Sequence, residues 1–174
     1  TQKPKHTKSE QRDMTTRKLI DVARAAFAQH GYAQTATEDI VAQAGVTRGA
    51  LYHHFGSKEG LFKAVLMDVQ QDIAQRIMQA SDGETDLWGQ LIAGCRAFLA
   101  AALDPDVQQI MLIDAPAVLG WEVWRQADAE NSMRLLIEQL NDLAQQAIIA
   151  PLSTEALAHL LSGAMNEAAL WIGR

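Results

Sequence analysis

Thr37-Glu-Asp-Ile-Val-Ala-Gln-Ala-Gly-Val-Thr-Arg-Gly-Ala-Leu-Tyr-His-His-Phe-Gly-Ser-Lys-Glu-Gly-Leu61 is the stretch on which the reading of this chain turns. Thr37 is a good N-cap, Glu38 and Asp39 follow in a first turn where the helix dipole favours anions, and Ile40, Val41 and Ala44 share one inward face. Gly45 permits a sharp turn. A second short helix opens at Thr47 and ends at Gly56, and Ser57 caps the next one. Leu51 and Phe55, four apart, seat the short helix on a core, which leaves Thr47, Arg48, Tyr52, His53 and Lys58 facing outward or flanking it. Gly49 lets another backbone come close, either DNA or the preceding helix. Two short helices about a glycine turn form a helix-turn-helix pattern. The outward hydroxyls, cations and single phenol are the inventory a helix needs to reach base edges and hold phosphates.

Outward from this stretch, apolar side chains recur with a 3.6-residue period and no segment alternates over a strand's length, so the expected fold class is all-α. Upstream, a polar, basic N-terminal arm (Thr1 to about Arg12) precedes a helix from about Met14 to His30. That helix has a stripe of Leu19, Val22, Ala23, Ala26 and Phe27 and ends at Gly31. Downstream, a longer fourth helix carries Phe62, Val65, Val69, Ile73 and Ile77 to about Ala80. A fifth helix is expected from about Thr85 to Leu103, and a sixth from Asp104-Pro105 to just before Pro116. A long seventh follows from about Val118 to Ile149, and an eighth from Ser153 or Thr154 onward. Two domains are expected: residues 1–58, a helix-turn-helix unit with its basic arm, and residues 59–174, a helical domain.

The chain has 174 residues and a net charge of −6 at pH 7, but the charge is unevenly spread. Residues 1–63 hold ten Lys/Arg against six Asp/Glu, and residues 64–174 hold five against fifteen. The basic third suits a polyanionic partner, with an accident of surface composition as the competing account. The longest wholly apolar run, Ala97 to Leu103, has seven residues, against the ~20 that a membrane-spanning helix needs. No charged segment followed by an apolar one opens the chain, so no secretory signal is expected. A single cysteine, Cys95, leaves no internal disulfide or metal-finger framework, and a cytoplasmic location is expected.

The quoted stretch resembles, nearly position by position, the DNA-binding signature of the TetR family of transcriptional regulators. The matching residues include Ala44-Gly45-Val46, Leu51-Tyr52, His54-Phe55 and Lys58-Glu59. The resemblance is specific over roughly residues 14–66 and weaker beyond, where the order of eight helices and Asp114-Ala-Pro-Ala-Val-Leu-Gly-Trp-Glu122 carry it. It implies a dimeric repressor of transcription whose paired recognition helices enter successive major grooves of a near-palindromic, double-stranded operator. It also implies a C-terminal ligand-binding and dimerisation domain that holds a small-molecule inducer. By resemblance, Thr37 holds a phosphate, and Thr47, Arg48 and Gly49 open the recognition helix. Tyr52, His53 and His54 contact backbone or bases, and Lys58 clamps a phosphate. Arg48, which can fork onto a guanine, is the candidate for reading a base. Glu38 stands where some members have a basic residue and is given no DNA role. Family members usually carry one more C-terminal helix, so the expected homodimer uses the eighth helix and a further helix beyond Arg174.

All four tryptophans and Met78, Met111, Met133 and Met165 lie beyond the middle of the fourth helix. Such rings and thioethers suit a pocket for a small apolar or aromatic effector. Phe98, Met111, Trp121, Trp124 and Met165 are the candidates, with plain core packing competing for each; Asp114 or Glu167 is the candidate for a polar or cationic end, with an exposed carboxylate as the competing account. No metal or cofactor is expected. His53 and His54 project about 100° apart on a helix and do not easily share an ion. The chain has no Gly-rich phosphate loop, no His-x-x-x-His and no suggestive Ser/His/Asp order, so catalysis is not expected. A purely protein-binding helical module leaves the donors from Thr47 to Lys58 unexplained.

Overall fold

The computed structural model describes residues 7–173, and among these every regular element is helical. The first six residues of the expected basic arm, and Arg174, lie outside the described residues. No helix of the described residues is long and apolar enough to cross a membrane. The chain divides into two compact units, the first ending at Val65 and the second beginning at Leu66.

In the first unit, α1 (Lys8–Gln34) starts earlier than its apolar stripe suggested. The Thr7 hydroxyl accepts the Glu10 N–H at 3.2 Å, and the Glu10 carboxylate accepts the Thr7 N–H at 2.7 Å. This capping box nucleates the helix upstream of the stripe, so residues 8–12 are helical and not part of an arm. Gly31 (φ 72°, ψ 164°) breaks the helix, and the Thr35 hydroxyl donates back to the Gly31 and Ala26 carbonyls. In α2 (Thr37–Ala44) the cap position falls on Ala36, which offers no side-chain bond. Thr37 is therefore not the cap: it is buried, with its hydroxyl donating to Glu38 Oε2 at 3.1 Å. Gly45 ends α2 in the left-handed region (φ 61°, ψ 37°). α3 (Arg48–Phe55) is capped by the Thr47 hydroxyl, and α4 (Lys58–Ser81) opens with Ser57 Oγ accepting the Gly60 N–H at 2.9 Å. Leu19, Ala23 and Phe27 of α1, Ile40 of α2, Leu51 of α3 and Phe62 of α4 are fully buried. The Phe27 and Phe62 rings meet edge to face at 5.1 Å, a favoured aromatic geometry.

In the second unit α5 (Leu87–Ala102) is capped by Asp86, and α6 (Pro105–Val107) by Asp104 with Pro105 in the first turn. Pro116 does not end a helix. A π-helical stretch, Gln108–Asp114, precedes it and leads straight into α7 (Ala115–Leu119). The Ala115 N–H reaches the Ile110 carbonyl, five residues back. This wider register accommodates a ring that has no N–H to give and would crowd the carbonyl four residues back. The long seventh helix is instead two, because Gly120 (φ 81°) and Asn131 (φ −125°, ψ −103°) leave helical geometry. They bound α8 (Trp121–Ala129) and α9 (Ser132–Gln145). Ser153 caps α10 (Thr154–Ile172). Leu91 of α5, Met133, Leu140 and Leu143 of α9 and Ala158 of α10 make one core cluster.

Asp128 of α8 is the one buried charged side chain among the described residues: it is 4% exposed, and its Oδ2 has no hydrogen-bond partner among them. Burial raises its pKa from 3.8 to about 6, against the opposing pull of Arg125 and His159. Between those values the folded chain keeps a proton that the unfolded chain has lost. Stability therefore rises as pH falls from about 6 toward 4 and is lowest above 6. Asp128→Asn removes the buried charge and is expected to stabilise the protein by about 1–3 kcal/mol above pH 7. The gain should vanish near the lower value. Thermal melts on either side of this window check it, and equal destabilisation on both sides would contradict it.

Candidate nucleic-acid interface

α3 has eight residues. A helix that short is marginal on its own in water, so its position is set by what holds it. Three features do so. The left-handed Gly45 turns the chain, the Thr47 hydroxyl accepts the Ala50 N–H at 3.2 Å, and Leu51 has no exposed surface. Phe55, expected in the core, is only partly buried. With Leu51 inward, Thr47, Arg48, Gly49, Tyr52 and His53 are exposed.

Arg48 is held by its neighbours. Its guanidinium pairs with Glu38 Oε1 at 3.0 Å, lies 5.4 Å from the Tyr52 ring centroid and donates to the Tyr52 hydroxyl at 3.4 Å. The Tyr52 contacts and then Glu38 push its pKa up, so it stays charged. Glu38 is held below the usual carboxylate range by its own backbone N–H first, and then by Thr37. Both partners are well exposed, and exposed ion pairs contribute little, so Arg48 exchanges Glu38 for another acceptor at small cost. Sequence reasoning gave Glu38 no part in this face. A contact between two helices either side of a glycine turn leaves no trace in helical periodicity.

His54 differs from its neighbour. It is half-buried, with Nδ1 3.0 Å from the Thr16 hydroxyl of α1. Burial, followed by the charges of His53 and Arg12, lowers its pKa, so it is neutral at physiological pH. The His53 and His54 rings stand 5.7 Å apart at 77°. Lys58 points back to α1: its ammonium donates to the Tyr32 carbonyl at 2.5 Å and sits 4.2 Å from the Tyr32 ring centroid. Nothing local in the sequence announces either tie.

Gly49 has no positive φ, and a Cβ built there would meet nothing nearer than the Thr47 hydroxyl at 3.9 Å. The fold itself therefore does not require glycine at this position.

The second unit holds a cavity of about 340 Å³ bounded by α4, α5, α9 and α10. Phe98 and Met165 line it. The other sequence candidates lie elsewhere. Met111 is fully buried, and its carbonyl accepts the indole N–H of buried Trp124 at 2.8 Å. Trp121 is 59% exposed and stacks on Trp124 at 4.8 Å, and Asp114 is half-buried in the π-helical stretch. The cavity residues that sequence reasoning missed include Leu91, Ser132 and Gln139.

Comparison with known proteins bears on both units. Residues 19–65 match the family described as bacterial regulatory proteins, tetR family, and residues 88–174 match the tetracyclin repressor-like C-terminal domain. A probable HTH-type transcriptional regulator, ArpR of Pseudomonas putida, is 39% identical over 83 residues, which is 48% of this chain and 39% of that protein. The chain thus spans about two-fifths of the length of that curated relative. The transposon Tn10 TetC protein of Escherichia coli is 26% identical over 149 residues, 86% of this chain and 75% of its own length. A crystal structure of a TetR-family transcriptional regulator from Pectobacterium atrosepticum superposes with a TM-score of 0.77 at 39% identity, covering 97% of this chain and 86% of that one. The transcriptional regulator FadR of Bacillus subtilis, solved with stearoyl-CoA, shares the fold at a TM-score of 0.75 and 20% identity, over 90% of this chain and 86% of that one.

Proposed function

The chain belongs to the tetR family of bacterial regulatory proteins, and from that premise we propose that it is a dimeric transcriptional repressor. It binds a near-palindromic operator through α3 and is released by a small-molecule inducer held in the cavity of its second unit. It acts in the cytoplasm, where such an operator lies.

One observation carries the DNA reading: a short helix buries a single leucine and leaves Thr47, Arg48, Gly49, Tyr52 and His53 exposed, in the basic third of the chain. Arg48 forks onto a guanine, and the Thr47 and Tyr52 hydroxyls and His53 take phosphates or base edges. Thr37 and His54 act from partly or fully buried positions, steadying the face and reaching the backbone at its margin. Lys58, whose ammonium donates to the Tyr32 carbonyl, meets a phosphate from the start of α4. Gly49 leaves room for the DNA backbone.

A second copy is the natural cover for α10, which leaves Leu160, Trp171 and Ile172 exposed at 71, 72 and 57%. Symmetry then presents α3 twice, at a spacing of about 34–36 Å or a multiple of it. α4 contributes residues to both compact units, so an effector that displaces its second half alters that spacing. A coupling of about 1–3 kcal/mol gives roughly 5–150-fold weakening, and DNA weakens effector binding by the same factor.

Two tests follow. Arg48→Ala should relax preference at one operator position, at a cost of about 1–3 kcal/mol there, whereas Lys58→Ala should weaken all sequences alike and reduce the salt slope by about 1. Gel-shift titrations at two salt concentrations separate them, and unchanged affinity in both variants contradicts the assignment. Gly49→Ala should stabilise the fold by about 0.5–1 kcal/mol, because alanine is the better helix former and the site has room. It should nevertheless weaken operator binding by crowding the DNA. Stronger folding with undiminished binding would remove Gly49 from the interface.

A further inference from the structure

Glu38 is an acid on a face that meets a polyanion. It is exposed in the first turn of α2 and touches Arg48 of α3. A carboxylate there opposes every phosphate brought near it. Yet three groups hold it in place. Its own backbone N–H bonds to it, the Thr37 hydroxyl donates to Oε2 at 3.1 Å, and the Arg48 guanidinium pairs with Oε1 at 3.0 Å. An N–H at a helix start, a hydroxyl and a guanidinium are also the groups by which proteins hold a phosphate. Glu38 thus occupies, from within the chain, donors that suit the DNA backbone.

The pairing with Arg48 decides what this does. The guanidinium is held between Glu38 and Tyr52, whose hydroxyl accepts from the other terminal nitrogen at 3.4 Å. It keeps further N–H groups for a base edge. If Arg48 turns away to a phosphate, it leaves Glu38, and a bare carboxylate then faces the duplex. In water that exchange is cheap, since both partners are exposed. Beside DNA it is not, because like charges brought together cost more than an exposed pair contributes. If Arg48 reaches a base from its place between Glu38 and Tyr52, the carboxylate stays neutralised. Discrimination between sites is a difference of affinities, so a penalty on binding through phosphates alone increases it.

Building on the DNA reading above, we propose that Glu38 is a positioning residue that sets specificity: it holds Arg48 for a base edge and penalises binding through phosphates alone. It contacts no base itself. A first-turn acid also steadies its helix through the dipole, but that role bears on stability and leaves the ratio of two DNA affinities unmoved.

The test compares the operator recovered by selection from a random pool with a random-sequence duplex of equal length, in gel-shift titrations of the full chain at several salt concentrations. Glu38→Gln removes the charge and keeps the shape. It is expected to tighten binding to the random duplex about three- to tenfold and to steepen its salt slope by about 1, with a gain of less than about twofold on the operator. Discrimination therefore falls. Asp39→Asn makes the same change of charge one residue along and should move both duplexes by one factor. With Arg48→Ala already in place, Glu38→Gln should likewise move both together, because the carboxylate then has no guanidinium to direct. The proposal is overturned if Glu38→Gln leaves the ratio of the two affinities unchanged or raises it, if Asp39→Asn lowers that ratio as much, or if the effect of Glu38→Gln on it persists with Arg48→Ala. Those results leave the DNA reading standing. A wild-type chain that retains no sequence from the pool overturns that reading, and the role of Glu38 falls with it.

Discussion

Leu51 links the two halves of the account: its burial is what allows a helix of two turns to exist with most of its surface bare. Eight residues do not make a stable helix in water, so α3 depends on the one side chain it gives to the interior and on the caps at its ends. The anchor is small because the opposite face has to stay polar and uncovered. Gly45 sets the direction in which that face points, through a left-handed turn that other residues adopt only with strain. Core, turn and cap thus position α3, and its exposed side chains ride on it.

The electrostatics of that face suit a surface that changes partners. Arg48 is kept charged and extended by a carboxylate and an aromatic ring, both exposed, so the contacts orient the guanidinium without trapping it. His54, by contrast, is neutral and tied to α1 through Thr16, and Lys58 is tied to the end of α1 through Tyr32. Arg48 and His53 are exposed, while His54 and Lys58 are tied to α1 at the margins of this face. The second unit likewise separates its core from its cavity. Trp124 and Met111 satisfy each other inside the core, and the cavity is left to Phe98, Met165 and a buried serine.

Much of this was legible in the amino-acid order. The stripe from Leu19 to Phe27, the turn at Gly45, the caps at Thr47 and Ser153 and the Asp104-Pro105 start are local signals, and the structure has all of them. Thr7 and Glu10, spaced as a capping box, were a local signal passed over, because the apolar stripe begins a full turn later. Pro116 was misleading for a physical reason: a π-helical register absorbs a proline that an α-helix would not. Gly120 and Asn131 divided a helix that periodicity alone ran together. The ties between Thr16 and His54 and between Tyr32 and Lys58 join residues 38 and 26 apart, and no periodic pattern encodes such pairs. Large apolar residues announce burial but not whether they face a core or a cavity, so the sequence candidates for the effector site divided between the two.

The most direct measurement is selection of bound duplexes by the purified protein from a random-sequence pool. If a symmetric pair of chains reads DNA through α3, the retained sequences converge on two inverted half-sites whose centres lie about one helical turn, or a multiple of it, apart. A single unrepeated motif, or no enrichment at any salt concentration, would contradict it.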